Sequence, residues 1–373
     1  MSAGVEEFSN SALVSLPGLD AGVVIHSLER LDEIESAWCH VAQNFPGPIE
    51  QFEWTKSCLP ALTQSGQPFV VVSGNADEAN GIAPLLLQRR FGFDRLEMIG
   101  VEALAEPADL VYRDQAALEK LLHTLRRLGM PLFLPRVVAD SPTVEAIRRV
   151  YRSPNIVVCR PRAPYPYIKL DETWKSPESH LNPGRRSDLR RAHKKAEAVG
   201  AVTCDVICPQ PSELQPLFNL AIDIEARSWK GDASTALATD PLRREFFWTY
   251  AQAACRRGTL RLCFLKFGGE PAAMLIAIER ANRLWLLKIG YDPKFAKMSA
   301  GMLITRETIA YAANNGLESY EFLGTVQPWT QVWTSSQREC VAIRAYPPTT
   351  NGLAHLTFDA VRRLLWPLRR RSS

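Results

Sequence analysis

Apolar and polar positions along this chain follow two periods, and the periods succeed one another in the same order twice. From 68 to 100, "PFVVVSGNADEANGIAPLLLQRRFGFDRLEMIG" reads as strand, turn, strand, turn, strand, ending in Ile-Gly. From 260 to 290, "LRLCFLKFGGEPAAMLIAIERANRLWLLKIG" reads the same way, with "GGEP" standing where the first block has "GNADEANG" as its hairpin turn. Helical patterns precede both blocks: "LDEIESAWCHVAQNF" and "EWTKSCLPALTQ" before the first, "SELQPLFNLAIDIEARSW" and "PLRREFFWTYAQAACRRG" before the second. After the third strand each block reaches a further helix, "QAALEKLLHTLRRLG" in one and "AGMLITRETIAYAANNG" in the other. Two helices, an antiparallel meander and a helix, repeated once, predict two copies of one α/β unit. The three prolines of "CRPRAPYPYIKL" (159 to 170) break any helix and extend the chain, which sets the expected boundary. The division is then 1–165, 166–350 and a terminal helix over 351–373.

Composition agrees with two globular domains. The chain has 373 residues, 46% hydrophobic and 23% charged, without the polar bias of a disordered chain. Its start, "MSAGVEEFSN", has no apolar signal core, and no run approaches the roughly 18 apolar residues of a membrane span, so the expected location is cytoplasmic. Eight cysteines (39, 58, 159, 204, 208, 255, 263 and 340) form no C-x-x-C pair and have no histidine at ligand spacing. They read as buried, reduced thiols, with no metal site and no disulfide frame. A net charge of +4 is too small to imply nucleic acid by itself.

Charge is concentrated in two places. "NPGRRSDLRRAHKKAEAVG" opens a helix at Asn182, Pro183 and Gly184 and carries Arg185, Arg186, Arg190, Arg191, Lys194 and Lys195 over a broad face. That face is either solvated surface or a platform for phosphate, anionic lipid or a nucleotide-linked substrate. The tail "GLAHLTFDAVRRLLWPLRRRSS" combines Leu353, Val361 and Trp366 with five arginines. Its two readings are a helix lying on an anionic membrane surface, at the inner face, and a terminal helix packed on the domain.

The stretch "LWLLKIGYDPKFAKMSAGMLITRETIAYAANNG" (284 to 316) runs from a strand through a short basic loop into a helix. Lys297, Ser299, Ala300 and Gly301 fall at or beside the helix N-terminus, where unpaired N–H groups and the helix dipole attract an anion. The strands before it are antiparallel, which is not the dinucleotide-binding arrangement. Other chemistries lack their motifs: no G-x-S-x-G elbow, no Walker A string and no H-E-x-x-H occur. An H-x-x-x-D string at His355 and Asp359 lies within the last helix, without the glycine that follows it in the acyltransferases that use it.

"SWKGDAS" (228 to 234), "LKIGYDPKFAKMSAGMLI" (287 to 304) and "YEFLGTVQPWTQVW" (320 to 333), in this order, resemble the GNAT-type acetyltransferases of the cellulose-biosynthesis (CelD/BcsL-like) family. These are relatives of the Fem-type peptidoglycan aminoacyl transferases, which contain two tandem GNAT-like units. The resemblance covers roughly 45 to 345 and is strongest from 184 to 335. It implies tandem GNAT-like units, each a mixed, mostly antiparallel sheet flanked by helices. It also implies acetyl-CoA or another acyl-CoA lying along the strand at Lys288 and Ile289, with its pyrophosphate on the loop ending at Gly301. Two departures stand out: the family's S-P-G is Ser299, Ala300, Gly301 here, and its D-F-L-x-G-x-x-P-[YW]-K-x-x-W has Glu321 for the acid and Thr330 for the lysine.

Direct acyl transfer needs a held nucleophile, a base and a donor for the departing thiolate. Glu321 is the first candidate base and Asp292 the second, with Tyr291 as the thiolate's proton donor. Glu225, Trp229 and Lys230 are candidates for lining the acceptor pocket, as are Trp329 and Trp333 at i, i+4 spacing. The expected acceptor is a hydroxyl or amine on an envelope sugar, exopolysaccharide or lipid precursor, with no specific nucleic acid. The competing readings are a Fem-type aminoacyl-tRNA-dependent transferase and a non-catalytic binding module on a GNAT scaffold.

Overall fold

The computed structural model describes residues 13–15, 22–62, 66–74, 79–90, 92–228, 237 and 239–369. In chain order its elements are β1 (Leu13–Ser15), β2 (Gly22–Ile25), α1 (Leu28–Leu31), α2 (Glu35–Val41), α3 (Phe52–Leu62), β3 (Gly66–Gly74), β4 (Ala79–Arg90), β5 (Phe93–Met98), α4 (Val101–Leu104), β6 (Val111–Tyr112), α5 (Gln115–Arg127), β7 (Leu132–Val138) and α6 (Pro142–Val150). There follow β8 (Ile156–Lys169), α7 (Pro183–Glu197), β9 (Val202–Ile207), α8 (Pro211–Ser228), α9 (Pro241–Arg256), β10 (Leu260–Phe267), β11 (Glu270–Arg280), β12 (Arg283–Tyr291), α10 (Ala300–Asn314), β13 (Ser319–Glu321), β14 (Gln337–Tyr346) and α11 (Thr350–Arg369).

Backbone contacts divide the chain into two units, the first up to Phe45 with Ile49–Arg162 and Glu339–Ser373, the second Pro46–Pro48 with Ala163–Arg338. The first division falls between Arg162 and Ala163, within the proline-rich segment. The second differs from a line at 350, because nearly all of β14 belongs to the first unit. There it pairs antiparallel with β7, Cys340 opposite Val138 and Ala345 opposite Leu132, which satisfies its backbone groups. The tail helix α11 also belongs to that unit, where it packs on β5. His355 is buried with its Nε2 3.3 Å from the Phe93 carbonyl, and a side chain at Gly352 would place its Cβ 1.9 Å from the Pro347 carbonyl oxygen. His355 and Asp359 thus serve separate structural partners, Asp359 accepting from Tyr346 Oη at 2.6 Å.

In the first unit β1 to β5 run antiparallel to their neighbours and β7 joins β5 in parallel, Leu96 opposite Leu132. Val70, Val71 and Val72 are buried in succession along β3 because both faces of the sheet are covered. The helix α5 packs on β3 and β4 through Leu118, Leu121, Leu122 and Leu125.

The second unit repeats the plan. Strands β9, β10, β11 and β12 are antiparallel neighbours, β13 joins β12 in parallel, and the end of β8 closes the order against β13, Ile168 opposite Tyr320. Its core lies between the sheet and α10, with Cys263, Leu265, Leu275 and Leu286 meeting Leu303, Ile304 and Ala312. A mixed, mostly antiparallel sheet flanked by helices, built twice, is the fold that the repeated pattern and the GNAT resemblance together imply.

All eight cysteines are free thiols, but Cys208 is exposed and Cys39, Cys159 and Cys204 are only partly covered, so the expectation of uniformly buried thiols is corrected. No helix among the described residues is long and apolar enough to cross a membrane.

Candidate active site

A parallel pair that opens is the centre of the second unit. Strands β12 and β13 pair only from Arg283 to Trp285 and from Ser319 to Glu321; β13 then ends while β12 continues to Tyr291. The β13-side edge of β12 beyond Trp285 therefore has no strand partner among the described residues. Such an edge offers backbone N–H and C=O groups to an extended, amide-containing ligand.

The same strand carries a bulge. Lys288 lies opposite Ile276 and Leu286 opposite Ala277, leaving Leu287 as the extra residue. An extra residue exchanges the faces of everything after it. Before the bulge Leu284 and Leu286 point into the α10 core; after it Ile289 packs there instead. Lys288 and Gly290 are thereby turned toward α8. A side chain at Gly290 would meet the Cα of Glu225 at 3.1 Å, so glycine is what lets α8 come this close.

On this face the Lys288 Nζ lies 3.1 Å from Glu225 Oε1, and Leu237 N–H donates to Glu225 Oε2 at 2.9 Å. Glu225 is fully buried and Lys288 partly so. The two were assigned to acceptor and cofactor separately; the fold makes them a pair.

At the end of β12 the chain turns through a 3-10 segment, Pro293–Met298, into α10. Ser299 has φ 51° and makes no side-chain cap. Met302 and Leu303 N–H both donate to the Ser299 carbonyl, while the N–H groups of Ala300 and Gly301 have no acceptor among the described residues. These two N–H groups stand at the positive end of a 15-residue helix, an arrangement whose dipole favours an anion. The Tyr291 ring stands against Gly301, its Cδ1 3.3 Å from where a Cβ would be, and Lys297 is exposed beside the turn. The corresponding helix of the first unit, α5, is closed by its own acid: Asp114 accepts from Ala117 N–H at 2.9 Å. Of the two repeats, the second alone leaves this helix start open.

The two carboxylates proposed as bases are both engaged. Glu321 is completely buried; Arg338 Nε donates to its Oε2 at 2.9 Å and Arg338 Nη2 to its Oε1 at 2.6 Å, with Ser319 Oγ at 2.8 Å and Arg283 Nη1 at 3.7 Å from the same Oε1. Glu321 is thereby held within a buried ion cluster with Arg338 and Arg283. The pairing with Glu321 holds the Arg338 guanidinium well above the ordinary arginine range. Asp292 is buried, 3.0 Å from Arg227 Nε, and caps the 3-10 turn by accepting from Lys294 N–H at 3.0 Å. Tyr291, 39% exposed, is the member of that trio left open to a ligand.

Trp333 is buried in the core, and Trp329 packs edge-on against Phe322 at 5.7 Å, so the first is packing and the second is a partly covered neighbour of the core. Thr330, at the family's lysine position, is also buried and exchanges hydrogen bonds with the Gln327 backbone through its hydroxyl. Trp229 and Lys230 lie outside the described residues. The basic face of α7 is largely exposed. One trio of possible metal ligands occurs among the described residues, Glu35, Cys39 and Glu53 in the first unit, and each has other interactions within the fold.

Residues 183–331, which contain the opened strand, the bulge and the α10 turn, match the acetyltransferase (GNAT) domain family. No curated protein sequence matches the chain. Among solved structures, FemX has 11% identity and a TM-score of 0.57, covering 90% of this chain and 99% of its own. A C-terminal domain assigned to a lysylphosphatidylglycerol synthetase from Agrobacterium fabrum has 10% identity and a TM-score of 0.54, covering 89% and 96%. A conserved protein of unknown function from Bacteroides thetaiotaomicron VPI-5482 has 10% identity and a TM-score of 0.51, covering 86% and 97%. At these identities the likeness is one of fold. The second unit thus matches the acetyltransferase (GNAT) domain family, and the two-unit fold resembles that of FemX.

Proposed function

We propose that this protein is an acyl-CoA-dependent acyltransferase of the cellulose-biosynthesis type, moving an acyl group, most simply acetyl, to a hydroxyl or amine of an envelope sugar, exopolysaccharide or lipid precursor at the cytoplasmic side of the membrane. The observation that carries this reading is the continuity of two features on one strand. The unpaired edge of β12 leads directly to the open N–H groups of Ala300 and Gly301. An extended thioester with an amide-rich arm and a pyrophosphate asks for that combination. Coenzyme A would supply the activated acyl group.

The residues of the chain have separable tasks in this scheme. Ala300 and Gly301 N–H and the Lys297 ammonium hold the pyrophosphate. The β12 edge beyond Trp285 aligns the arm. Glu225, whose Oε1 meets Lys288, accepts the proton of the attacking hydroxyl or amine, and Lys288 stabilises the carboxylate until then. Tyr291, beside Gly301, returns a proton to the departing sulfur.

A second reading draws on the fold shared with FemX and on the exposed arginines and lysines of α7: an aminoacyl-tRNA donor bound through its phosphates. A binding module without catalysis is the third. Thermal unfolding with acetyl-CoA, with coenzyme A and with charged tRNA separates the first two, since a ligand at 100 times its Kd adds about 2.7 kcal/mol, and release of coenzyme A or of uncharged tRNA on turnover separates either from the third. The proposal expects stabilisation by both coenzyme A forms and none by tRNA; the reverse pattern selects the second reading.

A further inference from the structure

The first unit contains a cavity of about 710 Å³ bounded by β4, β5, β7, β8, β14 and α11, and arginine dominates its wall. Four of its arginines are already committed. Arg95 bonds Glu97, with Arg90 Nε 3.7 Å from the same carboxylate; Arg162 Nη2 is 3.5 Å from Glu102, and Arg344 Nε is 3.1 Å from Asp359. Arg95 and Arg344 also flank the Phe133 ring, 4.8 and 4.2 Å from its centroid. The remaining three, Arg160, Arg362 and Arg363, have no carboxylate or hydrogen-bond partner among the described residues. Seven arginines against three carboxylates leave the wall four charges positive with His355 neutral. Burial, with Arg95 adding to it, pushes the His355 imidazole below its ordinary value, so neutral is its state near pH 7. Burial likewise lowers the Arg344 guanidinium, Asp359 opposing this and Arg95 and Arg162 adding to it.

The other flank of α11 is apolar. A groove of about 800 Å³ there is lined by Phe93, Leu353, Ala354, Phe358 and Val361. Leu353 is 56% and Val361 47% exposed, and Phe358 borders both the groove and the arginine cavity. A cluster of unpaired arginine forks is built for phosphate oxygens. A soluble phosphate, or RNA, has no use for the adjoining apolar wall. A lipid with a phosphate head uses both.

We propose that α11 is the ridge of a binding site for a lipid bearing a phosphate monoester or diphosphate head, with the head held among Arg160, Arg362 and Arg363 and the chain laid along the groove past Phe358. The site lies wholly in the first unit, so it stands whether or not the second unit transfers acyl groups; where both hold, it gives the acceptor or its membrane a chemical class. It also resolves the two readings of the tail: the helix is packed on its unit, and the same packing composes a lipid-facing surface.

The test is co-sedimentation of the full chain with vesicles of phosphatidylcholine, of phosphatidylcholine with phosphatidic acid, and of phosphatidylcholine with phosphatidylglycerol at matched surface charge. Binding is expected to be strongest to phosphatidic acid. The triple variant Arg160→Gln, Arg362→Gln, Arg363→Gln should bind those vesicles about 100-fold more weakly, at roughly 1 kcal/mol per basic residue, with unchanged thermal unfolding because these side chains have no internal partner. Leu353→Asp should weaken vesicle binding while leaving intact the calorimetric binding of inorganic pyrophosphate that the triple variant loses. Three results would overturn the proposal: equal recovery with neutral and phosphatidic acid vesicles, no loss in the triple variant, or RNA or pyrophosphate bound in a manner the triple variant loses while vesicles are ignored.

Discussion

Lys288 and Glu225 meet because one extra residue, Leu287, turns β12 over: without that bulge Lys288 would point into the α10 core and leave Glu225 buried without a cation. The bulge thus creates a charged pair beside the one strand edge in this unit that opens away from its parallel partner. The proton acceptor proposed for the reaction exists only through this local irregularity.

Glu225→Gln should lower kcat about 100-fold or more per folded molecule, with little change in affinity for coenzyme A, as expected for loss of a general base. Steady-state kinetics paired with calorimetry checks it. Turnover near wild type in the folded variant would remove Glu225 from the chemistry.

Glu321→Gln should act on stability. The substitution leaves Arg338 and Arg283 facing an uncharged amide in a fully buried position, a loss of ~3 kcal/mol typical of breaking a buried ion pair. A lowered thermal midpoint with near-normal turnover below it is the expected outcome. An unchanged midpoint together with a 100-fold fall in turnover would return Glu321 to the role of base.

Asp109 in the first unit should give the protein an acid-side stability gradient. Desolvation pushes its carboxyl up to about 6, against hydrogen bonds from Ser141 and the Leu110 N–H. A carboxyl raised in the folded state contributes stability that is fully present below its unfolded value and is lost as pH rises through about 6. The loss between pH 4 and pH 7 is at most about 3 kcal/mol. Asp109→Asn should remove that gradient, so its thermal midpoint gains on wild type as the pH rises; parallel curves would show that Asp109 titrates normally.

Much of this architecture was legible because it is local. The two meanders announce themselves through period-two alternation and tight turns, and the open start of α10 through a short loop ending in Gly301. What was not legible depends on pairing at a distance. The sequence of β14 carries no mark that its partner is β7, and an acid at a strand end looks the same whether solvent or Arg338 faces it, so the ion cluster around Glu321 is invisible in the sequence. The arginine cavity gathers side chains from β4, β5, β8, β14 and α11, so no contiguous segment displays it. Lys288, set in the otherwise apolar run LWLLKIG, is the mark of the bulge that the sequence does carry.

The central claim is that the turn into α10 binds the pyrophosphate of coenzyme A. Isothermal titration of the full chain with acetyl-CoA, comparing wild type with Gly301→Glu, tests it most directly. At Gly301 a carboxylate would be set beside the Ala300 and Gly301 N–H groups and press on Tyr291. The account predicts clear binding by wild type and its loss in a variant whose thermal unfolding shows it folded. Equal affinity in the two proteins would contradict it.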